Sequence, residues 1–265
     1  MNNYNYDLRI TGINLIKFDM KLFTLAFAGG SASYYLNWKP FLHKEIELIP
    51  LELAGRGGRI GESLNSDIDD MVEDVFRRID KRKYNDYMFF GHSLGALLAF
   101  KLALKIKEND LPMPEHIFFS GRYSPNTYKS NEKILHTLSN EDFKMEILEM
   151  GGTSTEIFEH PELTNLFLPI LRNDIKIAET YGFVDNSLSI DCDFSILTGK
   201  EENYSIEQIE GWRKLTSQNC SFYQFEGGHF FINEERAKIV GLINDTAAKC
   251  KKRKTTPFQK IVNLI

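Results

Sequence analysis

An α/β fold with a mostly parallel central sheet is what three features of this sequence predict. Short apolar runs of strand type recur along the chain and alternate with helical stretches, an order that covers both faces of the sheet with helices. The alternation is interrupted once, from about 123 to 188, by a polar, helix-rich stretch lying between two sheet strands. At 265 residues the chain can bury roughly three quarters of its unfolded surface in one large core, so residues 1–265 are expected to form a single domain.

The elements follow in order. Leu22–Phe27 reads as the first strand. Ala26 and Ala28 have the spacing of a signal-peptide cleavage site, but the run is short and Asp7 and Asp19 precede it among basic residues, so strand is the better reading. Glu47–Leu51 is a second strand. Asp67–Arg78 is an amphipathic helix with Ile68, Met71, Val72, Val75, Phe76 and Ile79 on one face, Ser66 as its expected cap and Asp69 at the capping-box position. The strand Tyr87–Phe90 leads into a helix rich in Ala and Leu, Leu94–Lys107, and Ile117–Ser120 is the next strand. Within the interruption, Glu141–Glu149 behind a Ser139 cap and Pro161–Leu171 read as helices, with Phe143, Ile147, Leu163 and Phe167 among their apolar residues. Phe194–Thr198 and Ser221–Phe225 complete the strands, and between them Ser205 with Gln208 opens a helix expected to contain Trp212. The basic run Lys249–Lys254 begins a stretch, about 249–265, expected to be a solvated tail.

The chemistry concentrates at Gly91-His92-Ser93-Leu94-Gly95, between a strand and a helix. Gly-x-Ser-x-Gly in that setting is the nucleophile elbow of α/β-hydrolases. The turn is so sharp that a Cβ at either flanking position would clash, and it pushes the serine hydroxyl out over the sheet at a positive helix N-terminus. A serine needs a base to take its proton and an acid to orient that base, which follow in the chain order Ser, Asp or Glu, His. Of the six histidines only His160 and His229 lie well beyond Ser93 in the C-terminal half, and His43, His116 and His136 have no readable partner spacing. His160 precedes Pro161 in a polar stretch and suits a surface or capping role, whereas His229 follows the last strand and the flexible Gly227-Gly228. His92 is expected to pack against neighbouring strands. The acid belongs in the loop after Phe194–Thr198, where Glu201 and Glu202 are the candidates, while Asp191 and Asp193 precede that strand and fall at the wrong end of the sheet. Two backbone N–H groups must receive the developing oxyanion: Leu94, after the nucleophile, and Ala28, in the Ala28-Gly29-Gly30 loop that follows the first strand.

These stretches and several others, in order, resemble the type II thioesterases, stand-alone editing enzymes of nonribosomal peptide and polyketide synthases. The resemblance spans nearly the whole chain. It rests on Phe27-Ala28-Gly29-Gly30-Ser31-Ala32-Ser33-Tyr34-Tyr35, Ala54-Gly55-Arg56, the elbow continued to Phe100, Ser120-Gly121-Arg122, Gly151-Gly152-Thr153 with Glu156, Leu168-Pro169-Ile170-Leu171-Arg172-Asn173-Asp174, and Phe225-Glu226-Gly227-Gly228-His229-Phe230-Phe231. It implies Ser93 as nucleophile and His229 as base. The family's acid is usually an aspartate three residues after a glycine and ten before a tryptophan; counting from Gly199 and back from Trp212 reaches Glu202 both ways, a glutamate replacing the aspartate. The resemblance further implies a helical lid at about 123–188 over the serine, and hydrolysis of acyl or aminoacyl thioesters carried on the phosphopantetheine arm of carrier proteins. A medium-chain acyl thioesterase or a general carboxylesterase of the same fold is the alternative.

Composition fits these expectations. A net charge of −5 argues against nucleic acid as a partner. Cys192, Cys220 and Cys250 lack metal-ligand spacing and read as free thiols of a reducing, cytoplasmic compartment. No stretch approaches transmembrane length, the chemistry calls for neither metal nor cofactor, and a monomer is expected.

Overall fold

Every strand in the sheet runs parallel, in the order β2-β1-β3-β4-β5-β6. The strands are β1 (Met20–Leu25), β2 (Ile46–Leu51), β3 (Tyr87–His92), β4 (His116–Ser120), β5 (Asp193–Gly199) and β6 (Cys220–Phe225). The computed structural model describes residues 20–79, 85–127, 133–182, 185 and 187–262, with side chains as far as Lys254. The parts of the expected single domain at 1–19 and 263–265, and of the expected insertion at 128–132, 183–184 and 186, lie outside the described residues.

Strand side chains alternate between two cores because successive Cβ atoms point to opposite faces. From β3 and β4, Tyr87, Phe89, Ile117 and Phe119 enter the core under α1 (Ile68–Arg78) and α2 (Leu94–Glu108). Met88, Phe90 and Phe118 enter the opposite core, closed by Tyr35 and Trp38 of a 3₁₀ segment and by Ile239, Val240 and Ile243 of α7 (Arg236–Val262). Burying an aromatic or aliphatic side chain is worth about 1.5–3 kcal/mol, so β3, buried at every residue, is the axis of the fold.

Between β4 and β5 stand α3 (Asn140–Met150), α4 (Glu156–Glu159) and α5 (Pro161–Thr180). Phe143 and Ile147 of α3 meet Leu168, Leu171 and Ile175 of α5 in a third, smaller core, against which Ala28 and Phe167 also pack. Helix α6 (Ile206–Glu210) opens with the expected Ser205–Gln208 capping box.

Four local expectations are corrected. The cap of α1 is Asp67, whose carboxylate accepts from Asp70 N–H at 2.9 Å, because the chain enters the helix one residue later than Ser66. Helix α5 does not stop at Leu171 but continues to Thr180 through Pro169. An interior proline costs about 3 kcal/mol, and burial of Ile170, Leu171, Asp174, Ile175 and Ile177 along the helix offsets it. Trp212 lies in a 3₁₀ turn, Gly211–Leu215, where its ring stacks on Phe119 at 4.1 Å between centroids. The basic run is no free tail: it belongs to α7, and Lys251 pairs with Glu45, Arg253 with Asp193, and Lys254 with Asp86 and Glu115. No helix among the described residues is long and apolar enough to cross a membrane.

Candidate active site

Ser93 joins β3 to α2 with φ +55° and ψ −114°, a left-handed backbone that costs a non-glycine residue on the order of 1–3 kcal/mol. Its neighbours make the turn possible. A Cβ on Gly91 would lie 2.0 Å from the Gly95 carbonyl oxygen, and one on Gly95 would lie 2.1 Å from that of Leu25. Neither backbone can yield without moving the sheet, so both positions need glycine. Ser93 N–H is tied to Ser120 C=O at 2.8 Å, which fixes the elbow to β4.

The loops after β5 and β6 are joined by their backbones: Lys200 N–H donates to Phe225 C=O (2.9 Å) and Glu201 N–H to Gly227 C=O (3.1 Å). This brings His229 Nδ1 to 2.7 Å from Glu202 Oε1. Glu202 Oε2 accepts from Gly199 N–H at 2.8 Å, so both carboxylate oxygens are committed and the side chain is 4% exposed. A carboxylate only accepts, so His229 Nδ1 carries the proton and Nε2 keeps its lone pair. Glu201 is exposed, at the cavity wall. Ser93, Glu202 and His229 thus border one cavity of about 620 Å³, to which the segment between β4 and β5 contributes the apolar Leu135, Met150, Ile175 and Ala178 and the charged Lys133, Glu149 and Glu179.

The loop after β1 is a tight turn in which Gly30 N–H donates to Phe27 C=O (2.9 Å) and Gly29, third of its four residues, has φ +73°, the pattern of a type II turn. Gly29 N–H is held by Asp174 Oδ2 at 2.8 Å. Among the described residues, neither Ala28 N–H nor Leu94 N–H has a hydrogen-bond partner. Because Leu25 pairs with Gly91, these two free donors belong to adjacent strand ends.

Other histidines and carboxylates fall elsewhere. His92 is fully buried below His229, 5.1 Å between ring centroids, with Nδ1 2.9 Å from Ser120 Oγ. Burial pushes its pKa well below the ordinary value and keeps it neutral. His160 precedes α5 with no side-chain capping bond. Asp193 sits at the amino end of β5, bonded to Arg253 and Asn219. No cluster of metal-ligating side chains occurs among the described residues.

Three residues of the site carried no readable sequence signal for a role. Tyr204 O–H donates to Gly121 C=O (3.2 Å), and burial followed by the neighbouring Glu202 carboxylate pushes its phenol well above the ordinary pKa. Arg122 lies between the Tyr123 and Tyr181 rings and donates to Ala178 C=O at 3.1 Å. Asp174, fully buried, forms a two-pronged ion pair with Arg56.

Comparison with known proteins is consistent over most of the chain. Residues 20–247 match the thioesterase domain family. The chain is 31% identical to thioesterase PikA5 of Streptomyces venezuelae, over 85% of this chain and 80% of the relative. It is 32% identical to the human medium-chain S-acyl fatty acid synthase thioesterase, over 80% of each. Among solved structures, ClbQ from the colibactin NRPS/PKS pathway superposes with a TM-score of 0.82 at 35% identity, covering 88% of this chain and 98% of that one.

Proposed function

This chain belongs to the thioesterase domain family of thioester hydrolases, and from that premise we propose that it clears acyl and aminoacyl groups from the phosphopantetheine arm of carrier proteins in a nonribosomal peptide or polyketide synthase. Ser93 Oγ attacks the thioester carbonyl while His229 Nε2 takes the hydroxyl proton. Glu202 holds the proton on Nδ1 and stabilises the imidazolium that forms. The N–H groups of Ala28 and Leu94 receive the oxyanion. The carrier thiol leaves with the proton from His229, and water activated by the same imidazole releases the acid. The observation that carries this reading is the 2.7 Å contact of His229 with a doubly bonded Glu202, beside a serine in a strained elbow. Three buried cysteines, none in a disulfide, fit a reducing, cytoplasmic setting.

A medium-chain acyl thioesterase is the second reading, favoured by the likeness to the human enzyme and by the apolar Leu135, Met150 and Ile175 in the cavity wall. One series of measurements separates the two. Wild-type protein should gain the mass of one phosphonylating inhibitor, at Ser93. Ser93→Ala should lose turnover by up to ~10⁶-fold, as in a protease triad. The apolar part of the wall discriminates one methylene by only ~10- to 200-fold, so short acyl and aminoacyl groups on carrier proteins should all be hydrolysed. The same groups on coenzyme A should react more slowly, because they lack the carrier's protein surface. Labelling away from Ser93 overturns the nucleophile; a wide preference for medium-chain coenzyme A thioesters overturns the editing role.

A further inference from the structure

The Asp174 carboxylate is completely buried and Arg56 is 4% exposed, yet neither touches the reacting groups. Their contacts converge on the turn that offers Ala28 N–H. Asp174 Oδ1 accepts from Arg56 Nη2 at 2.8 Å, and Oδ2 accepts from both Arg56 Nη1 and Gly29 N–H, the latter at 2.8 Å. Arg56 also reaches the loop itself, with Nη1 3.4 Å from Gly30 C=O, and its own turn after β2, with Nε 3.4 Å from Ala54 C=O. From the same helix, Phe167 and Leu171 crowd Gly29 so closely that a Cβ there would lie 2.9 Å from Phe167 Cζ and 3.0 Å from Leu171 Cδ1. Helix α5 therefore grips the turn by an ion pair, a backbone hydrogen bond and apolar contact.

A buried ion pair contributes little net stability compared with apolar residues of the same volume, so its stabilising effect alone is a weak reason for this arrangement. Its geometry does something that apolar side chains would not: it fixes the direction of one peptide N–H, and with it the tilt of the turn. The next residue along α5, Ile175, lines the catalytic cavity, as does Ala178 one helical turn on. The helix that would meet the acyl group is thus the helix that orients the turn.

We propose that Asp174 and Arg56 are positioning residues that make the oxyanion site conditional on α5: the Ala28 N–H is aimed correctly only while α5 is docked on the turn. This rests on the reading of Ala28 as an oxyanion donor. When the Asp174 end of this contact is lost, Gly29 N–H loses its acceptor, the turn is free to rotate, and the serine faces a carbonyl whose developing charge has one donor fewer. An acyl group seated against Ile175 favours the docked position and so assembles its own catalytic site.

The test uses the full chain with one acyl-carrier substrate, an acyl trifluoromethyl ketone that forms an oxyanion on Ser93, and a phosphonate that counts competent serines. Asp174→Asn should lower kcat per titrated serine by about 10²-fold, the size of losing one oxyanion donor, with KM little changed. Arg56→Lys, which keeps the charge but not the fork, should fall between Asp174→Asn and wild type. Phe167→Ala, which loosens the helix without burying a charge, should give a smaller loss with the same signature, and it decides the matter if Asp174→Asn fails to fold. Affinity for the ketone should fall in step with kcat/KM across the series. Ala28→Pro tests the underlying reading, because proline suits the second position of this turn and removes only the N–H. Full turnover in Ala28→Pro would overturn the donor assignment itself. A crippled Ala28→Pro beside Asp174→Asn and Phe167→Ala variants with normal kcat per titrated serine and normal ketone affinity would overturn the coupling alone.

Discussion

Glu201 and Glu202 are adjacent, share a charge and border the same cavity, yet only one is bonded to the imidazole. Glu202→Gln keeps the shape but removes the charge and permits the wrong tautomer, so turnover should fall by roughly 10³- to 10⁴-fold. Glu201→Gln should cost less than about tenfold, since an exposed charge is strongly screened. Glu202→Asp should retain partial activity, limited by reach. Turnover of the three variants on one acyl-carrier substrate is the measurement, and a crippled Glu201→Gln would move the acid one residue back. That the candidate residues of the strand-end loops meet at one cavity was legible, because the chain order expected of a nucleophile, acid and base constrains where each can stand. Ser93 was legible from its flanking glycines, and His229 from the Gly227-Gly228 loop. Glu202 was separable from Glu201 only by counting from Gly199 and Trp212. Arg56 and Asp174 could be quoted as recurring residues but not given a task, because a partnership across 118 positions leaves no spacing to read.

At the scale of elements, the α1 cap separates two neighbouring residues in the same way. Asp67→Ala removes the acceptor for Asp70 N–H and should cost about 1 kcal/mol, whereas Ser66→Ala should cost a fraction of that, read as shifts in the urea midpoint. If the two costs were reversed, the helix would begin a residue earlier in solution. Periodicity revealed the helices with a clean apolar face, such as α1, and the elbow helix α2 with its run of Ala and Leu. It stopped short on α5, where Pro169 argues locally for an end and only the burial of Ile170, Ile175 and Ile177 argues for continuation. Tertiary packing also decides the 3₁₀ turn at Trp212: the indole N–H donates to Arg122 C=O and the ring stacks on Phe119, contacts to β4 and the loop after it that no local window contains.

Over the whole molecule, two buried imidazoles contribute to the loss of stability at mildly acid pH. Burial pushes His116 down to about 4, outweighing the nearby Asp193 carboxylate, and holds His92 well below its ordinary 6.5. Between pH 6.5 and 4 the unfolded chain binds protons that the folded one refuses, so the stabilisation present above 6.5 is lost as pH falls through this window. For His116 alone the loss is bounded at about 3 kcal/mol. Asp193 acts in a lower window: partial burial is outweighed by Arg253 and Asn219, its pKa lies below the ordinary 3.8, and its contribution disappears only under that value. Urea midpoints at pH 7.5 and 5 should therefore converge in His116→Gln relative to wild type; equal pH dependence in the two proteins would show that His116 takes up its proton without unfolding. His116, Asp193 and the acceptors of the α7 ion pairs cluster at the amino ends of the strands, whereas Ser93, Glu202 and His229 follow the carboxyl ends. A strand of this length spans about 20 Å, so the two ends can be altered independently. Engineered robustness usually comes at the expense of turnover where the working loops must stay compliant. Here the amino-end rim offers a place to strengthen the enzyme that evolution or a designer can use without stiffening the cavity.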